Sequence, residues 1–437
     1  MASFVQILLL FSLSLHLVFV SADDQSSEAQ TGTRTPPIIR PNKLVLKVQK
    51  DGATNLHVAQ IFKRTPRVLV PLVVDLNGRL LWVNCENKYL SSTYNAPICH
   101  SAQCAKAGSH TCRTCSSKLP TARPGCHVNA CGVMAVNPIT QQSAMGELAQ
   151  DVLSIPSTLG STPGPIVTVP QFLFACAPST LLQKGLPKNV QGIAGLGHSQ
   201  ISLPTQLASN FGIPLKIAVC LASGPSQNGV IFFGDGPYNM LPGIDVSRQL
   251  TYAPLSIGGQ GEYLINIQSI QINNKVVPLT TTRRPNQAML STTIPYTILE
   301  QSIFKALTQL YINQFPGVPQ VPAVAPFGLC FNANKIKYGK TGPAVPSIQL
   351  VLDNQQKIRW TIFGQNAMVQ ARPGVMCLAM VNGGANPKVA PIVIGARQME
   401  DNLVQLDLVK SRIGISNSLL LQGTNCANFN FNTTTTT

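Results

Sequence analysis

The sequence predicts a mostly β protein with few short helices, folded as two lobes. Glycine and proline occur 33 times each and cut the chain into short apolar runs, such as 167–174, 216–220 and 229–233. Runs of that length and composition, bounded by turn residues, are strands. Helical patterns are brief and confined to 203–209, 299–311 and 398–403. At 437 residues the chain exceeds the size at which a single hydrophobic core keeps growing, so two cores are expected.

Taken in order, residues 4–20 are apolar but broken by Ser12, Ser14 and His16, and end at Val20-Ser21-Ala22. Small residues at the −3 and −1 positions make 1–22 a secretory signal, although it lacks the usual early Lys or Arg. The run is short for a membrane span and no other stretch qualifies, so no membrane association is expected. Residues 23–42 are polar, contain Pro36-Pro37, and read as a flexible N-terminus. A strand is expected over 43–60. There follows Leu69-Val-Pro-Leu-Val-Val-Asp75-Leu-Asn-Gly78-Arg-Leu-Leu-Trp82-Val-Asn-Cys85. Two apolar runs around Asn77-Gly78 predict strand, tight turn, strand, with Asp75 at the exposed tip of a buried hairpin.

From Cys99 to Cys131, six cysteines (Cys99, Cys104, Cys112, Cys115, Cys126, Cys131) lie in a Ser/Ala/Gly/Thr-rich stretch. Such a stretch predicts a loop nodule stapled by disulfides and no hydrophobic core. Beyond it the chain repeats a pattern. The segment Gly192-Ile-Ala-Gly195-Leu-Gly197 follows Asp75, and Pro391-Ile-Val-Ile-Gly395-Ala396 follows Ala288-Met-Leu-Ser291. Each apolar-Gly run is expected to cross beside its own lobe's loop. The lobes divide between Gly236 and Gly259, giving 43–240 and 241–431, with 432–437 a disordered tail.

Twelve cysteines in a secreted chain predict six bridges. Cys112-Arg-Thr-Cys115 has no partner pair at a regular metal spacing, so no metal is expected. Lys and Arg number 32 against 16 acids, a formal +16, yet charged residues are only 11%. Basic clusters are no longer than pairs such as Lys63-Arg64, which argues against nucleic acid. The excess suits acidic cell-wall polysaccharide or an acidic protein partner. His57, His100, His110, His127 and His198 share no motif with a Ser or Cys nucleophile, and no Gly-x-Ser-x-Gly occurs.

The Asp75 stretch resembles the first active-site loop of pepsin-like aspartic proteases, where Asp-Thr/Ser-Gly lies between two strands. Here the tripeptide is Asp75-Leu76-Asn77, with Gly78 one place late. The corresponding second segment is Ala288-Met-Leu-Ser291-Thr-Thr-Ile-Pro-Tyr296, with Ser291 where the family requires Asp. A serine hydroxyl does not ionise near neutral pH and cannot supply half of a carboxyl dyad. The flap region, 132–150, contains no tyrosine. The resemblance therefore implies a bilobal pepsin-like fold without catalytic residues, in which Asp75 and Ser291 are vestigial and face each other across the inter-lobe cleft.

Together the signal, the Val-Val-Asp-Leu-x-Gly-x-x-Leu-Trp-Val-x-Cys run, the cysteine nodule and the ending Asn425-Cys-Ala-Asn-Phe-Asn-Phe431 resemble a narrower group. That group is the plant xyloglucan-specific endoglucanase inhibitor, extracellular dermal glycoprotein and basic 7S globulin family. The resemblance implies an apoplastic inhibitor of microbial glycoside hydrolases, specifically family 12 endoglucanases, that uses no cofactor. Alternatives are a non-inhibitory basic 7S globulin-like storage or peptide-binding protein and, third, an atypical aspartic protease. It implies pairs Cys85–Cys176, Cys220–Cys426 and Cys330–Cys377, the last two within the second lobe. It also implies an inhibitory loop containing Lys337, Tyr338 and Lys340. Lys340 falls on an arginine position of inhibitory relatives, and a second such position is Gly423, where restoring arginine is expected to strengthen inhibition. One glycosylation sequon begins at Asn432.

Overall fold

The computed structural model describes residues 41–86, 88–115, 122–279, 287–386 and 390–432. The expected signal 1–22, nearly all of the N-terminal stretch 23–42 and the tail beyond Asn432 lie outside them. Strands dominate, and no helix among the described residues is long and apolar enough to cross a membrane.

A six-stranded antiparallel layer joins the two halves of the chain. Its order is Lys43–Lys50, Asn228–Gly234, Lys216–Cys220, Leu403–Asp407, Arg412–Ile415 and Thr251–Ile257. The seam is Lys216–Cys220 against Leu403–Asp407, in register Ala218↔Gln405. Both strands are buried along their whole length, which is why their apolar residues run without alternation. Lys216 pairs there with two carboxyl groups, its Nζ 2.7 Å from Asp235 Oδ2 and 3.6 Å from Asp407 Oδ2.

On either side of this layer the chain builds the same four-strand knot twice. In the first, Val68–Asp75 runs parallel to Gly192–Gly195, which lies antiparallel to Trp82–Asn84, itself parallel to Ile166–Ala177. In the second, Gln287–Leu290 runs parallel to Ile392–Ile394, which lies antiparallel to Thr297–Leu299, itself parallel to Met380–Asn382. The expected hairpin at Asp75 is therefore corrected. The strands on either side of Asn77-Gly78 do not pair with each other, because Gly192–Gly195 is threaded between them, and Asp75 is buried. Glycine is required at that crossing: a Cβ on Gly195 would lie 2.2 Å from the Leu80 carbonyl oxygen.

Two further expectations change. The strand expected over 43–60 is two, Lys43–Lys50 and His57–Lys63, joined by a turn in which Asp51 accepts from Thr54 N at 2.8 Å. The last helical pattern ends early, at Ala396–Met399, and Leu403 opens a strand. The two longest helices among the described residues are Leu203–Phe211, ended by Gly212 in the left-handed region, and Gln301–Asn313, capped by Glu300.

All twelve cysteines are bridged: Cys85–Cys176, Cys220–Cys426, Cys330–Cys377, Cys99–Cys112, Cys104–Cys131 and Cys115–Cys126. Cys220 ends the strand at the seam, ahead of the expected lobe division between Gly236 and Gly259. Its bridge therefore pins the C-terminal segment to the central layer and does not lie wholly within the second lobe. The nodule also carries more core than its composition implies. The short helix Ala102–Lys106 buries Cys104, which packs with Cys131, Trp82 and Leu148. Buried Glu147 anchors its far side, accepting from His127 N at 2.8 Å, Gly125 N at 3.1 Å and Tyr94 Oη at 2.6 Å.

Candidate functional site

Strand register brings the two segments singled out in the sequence to equivalent places. Asp75 closes the first parallel pair, opposite Gly195, and Ser291 follows Leu290, which closes the second opposite Ile394. The Ser291 N–H donates to Ile394 O at 2.9 Å. Both side chains line one inter-lobe cleft of about 1160 Å³.

Burial pushes the Asp75 carboxyl up to about 6, against backbone donation from Asn77 and Gly78; Asn77 N donates to Oδ1 at 2.9 Å. Ser291 Oγ accepts from Thr293 N at 3.3 Å and lies 3.2 Å from Thr293 Oγ1. The second active-loop segment thus presents a pair of hydroxyls to the same cleft. The other acid lining the cleft, Glu262, is used in its own turn, accepting from Gln260 N at 2.9 Å.

The cleft floor is held by bonds that cross between the halves. Leu76 N donates to Thr292 Oγ1 at 3.1 Å, and that hydroxyl donates to Val74 O at 2.7 Å. In the reverse direction Leu76 has no hydroxyl, and Asn77 supplies the contact: its Nδ2 donates to Leu290 O at 2.9 Å. Asn77 Oδ1 accepts from Tyr263 N at 3.3 Å, and Tyr263 Oη donates to Leu196 O at 2.8 Å. Thr292, Asn77 and Tyr263 were not legible as site residues. For Thr292 and Asn77 the sequence signal was a polar residue one place after Ser291 and two places after Asp75. Over the cleft lies the hairpin of Ala130–Val136 and Ser143–Pro156, fixed by Trp82 Nε1 donating to Val136 O at 2.9 Å.

The lysine loop lies in the second half. Asn332 caps a 3₁₀ turn, Ala333–Lys335, after which buried Ile336 turns inward and holds Lys335 and Lys337 outward on either side. Tyr338–Gly339 and Gly342–Pro343 pair as a hairpin with Lys340-Thr341 at its tip. Tyr338 is 66% exposed. Lys340 Nζ donates to Leu421 O at 2.8 Å, so this tip lies against the turn that carries Gly423.

Residues 57–235 match the family described as "Xylanase inhibitor N-terminal", and 262–417 match "Xylanase inhibitor C-terminal". The chain belongs to the xylanase inhibitor and basic 7S globulin family. It is 65% identical to "Gamma conglutin 1" of Prunus dulcis over all of this chain and 99% of that one. It resembles the crystal structure of basic 7S globulin from soybean with a TM-score of 0.81 and 50% identity, covering 90% of this chain and 100% of that one. An aspartic proteinase from Irpex lacteus, at 14% identity, matches with a TM-score of 0.55 over 88% of this chain and 99% of that one. That last likeness shows the pepsin-like fold and nothing further.

Within this xylanase inhibitor fold the predicted loop residues come together in part. Lys340 and the Gly423 turn meet, whereas Lys337 and Tyr338 precede the tip. Gly423 takes φ +73°, with open space around it. A side chain there fits but strains the backbone by about 1–2 kcal/mol, so the turn as folded favours glycine. Asn432 is exposed, its N–H donating to Asn430 Oδ1 at 3.0 Å.

Proposed function

We propose that this member of the xylanase inhibitor family is a secreted, non-catalytic inhibitor of microbial cell-wall glycoside hydrolases, with family 12 xyloglucan endoglucanases as its target. The observation that carries the reading is Lys340, exposed at the tip of a two-residue hairpin turn and backed by the Leu419–Gln422 turn. Retaining glycosidases hold two carboxyl groups about 5–5.5 Å apart across the sugar site. An ammonium inserted between them forms charge-assisted bonds and excludes substrate. Lys340 spends one of its three donors on Leu421 and keeps two for a carboxylate pair. Lysine lacks the bidentate fork of arginine, so target choice differs from arginine-bearing relatives. With Ser291 opposite Asp75, the cleft lacks the two carboxyls that pepsin-type hydrolysis needs, so acid proteolysis of denatured haemoglobin is expected to be absent.

The test is inhibition of a purified family 12 endoglucanase. Removing one charge from a desolvated pair costs about 2–5 kcal/mol, tens- to thousands-fold in affinity. Lys340→Ala should lose that much, and Lys337→Ala little. Equal small losses at both would mean that general charge drives encounter, and an unchanged inhibition constant for Lys340→Ala would remove this loop from the reading. A second reading is a non-inhibitory storage or peptide-binding globulin. Lysine at 340 and glycine at 423 favour it, as do relatives named conglutin and basic 7S globulin. Absence of inhibition by the unmodified protein against a panel of family 12 enzymes would select it.

A further inference from the structure

Folding makes the surface more basic than the composition alone. Asp75, Glu147, Asp151, Glu400, Asp401 and Asp407 are buried, against Lys43, Lys50, Lys63, Arg64 and Lys216 among the bases. The acids come from a pool half as large, 16 against 32, so burial removes the greater share of negative charge. Glu400 is paired inside, 2.7 Å from Lys50 Nζ, and Asp407 lies 2.9 Å from Arg412 Nε.

The uncompensated cations are grouped. In one sheet, Asn332 and Arg372 stand opposite Val375 from its two sides, about 10 Å apart across two strand spacings. Ala333 N donates to Gly374 O at 3.0 Å, folding the 3₁₀ turn that ends in Lys335 over the turn beside Arg372. Lys337 follows on the same outward side of Ile336, and Lys340 ends the series. Lys335, Lys337, Lys340 and Arg372 are all exposed. Among the described residues none of the four has a carboxylate within ion-pair distance. Tyr338 lies inside this series, two-thirds exposed.

We infer that this track, from Arg372 through Lys335 and Lys337 to Lys340, is a binding site for a linear polyuronate. Successive sugar carboxylates would meet the cations, and one pyranose face would lie on the Tyr338 ring. A lone exposed aromatic among spaced cations suits a sugar chain better than single-stranded nucleic acid, whose binding sites stack successive bases on several rings. The attraction is between exposed charges and is screened by salt. This site does not depend on hydrolase inhibition, although Lys340 belongs to both.

The experiment measures binding of an end-labelled oligogalacturonate by fluorescence anisotropy. It compares the unmodified protein, Lys335→Gln/Arg372→Gln, and Lys184→Gln/Lys188→Gln, which removes the same charge from exposed first-lobe positions. Lys340 is intact in all three, so this result and hydrolase inhibition are read separately. Loss of about fivefold per track cation, about 25-fold for the Lys335/Arg372 pair, is expected, with less than about twofold for the control pair. A neutral galactan oligomer should not bind. Equal losses in the two pairs would overturn the site in favour of net charge. Single-stranded DNA of matched charge binding as tightly, with the same response to the track variant, would overturn the polyuronate assignment. Tyr338→Ala, expected to weaken oligogalacturonate binding while leaving the salt dependence unchanged, would overturn the stacking role if it had no effect.

Discussion

Replacing Asp75 with asparagine isolates the electrostatic state of the cleft floor. The carboxyl is buried and its pKa stands at about 6 against an ordinary 3.8. Below 3.8 it is neutral in the folded and unfolded chain alike. Between 3.8 and about 6 the unfolded chain releases the proton and the folded protein keeps it, so stability falls as pH rises through that window. About two pH units at ~1.4 kcal/mol each give a loss of about 3 kcal/mol, complete above pH 6. Asparagine keeps an oxygen to accept the Asn77 N–H and has no proton to lose. Guanidinium unfolding followed by fluorescence of Trp82 and Trp360, with the bridges intact, gives the free energy of each protein at pH 4, 5, 6 and 7.5. The unmodified-minus-variant difference should fall by about 2 kcal/mol from pH 4 to pH 6, by a further ~0.4 kcal/mol to pH 7.5, and stay level beyond. A difference that does not vary with pH would refute the assignment of Asp75 as a protonated acid at mildly acidic pH.

Thr292→Val removes the hydroxyl that serves both Leu76 N and Val74 O. Leaving two buried backbone groups unpaired should cost about 2–4 kcal/mol by calorimetry, and Thr292→Ser should recover most of it. His57 is buried and its pKa is depressed to about 3, by burial first and then by the Lys50 cation. Its contribution is present above pH 6.5 and lost as pH falls toward 3, so His57→Gln should weaken the acid sensitivity by about 3 kcal/mol between pH 6.5 and 4; parallel acid unfolding curves would contradict this. Cys330→Ser/Cys377→Ser opens a loop of sequence separation 47 and should cost about 4 kcal/mol in unfolding free energy.

Much of the architecture was decided locally. Short β-branched runs between glycines and prolines define the strands, and the two apolar-Gly segments mark the crossing strands because only glycine permits the backbone approach seen at Gly195. Ser291 could be matched to Asp75 because each ends an apolar run that precedes such a segment. Tertiary structure decided what those local signals cannot reach. Threading Gly192–Gly195 between the strands that flank Asn77-Gly78 is a parallel pairing over more than a hundred residues, which leaves no trace in neighbouring residue types, so Asp75 read as the exposed tip of a hairpin. The same separation hid Thr292 and Asn77, ordinary polar residues until the halves meet and each finds an unpaired backbone group on the other side. It also hid which charges survive at the surface. Composition counts every acid equally, whereas packing placed Glu400, Asp401 and Asp407 inside and left Lys335, Lys337, Lys340 and Arg372 outside. A charge's effect depends on the dielectric around it, and only the folded chain sets that.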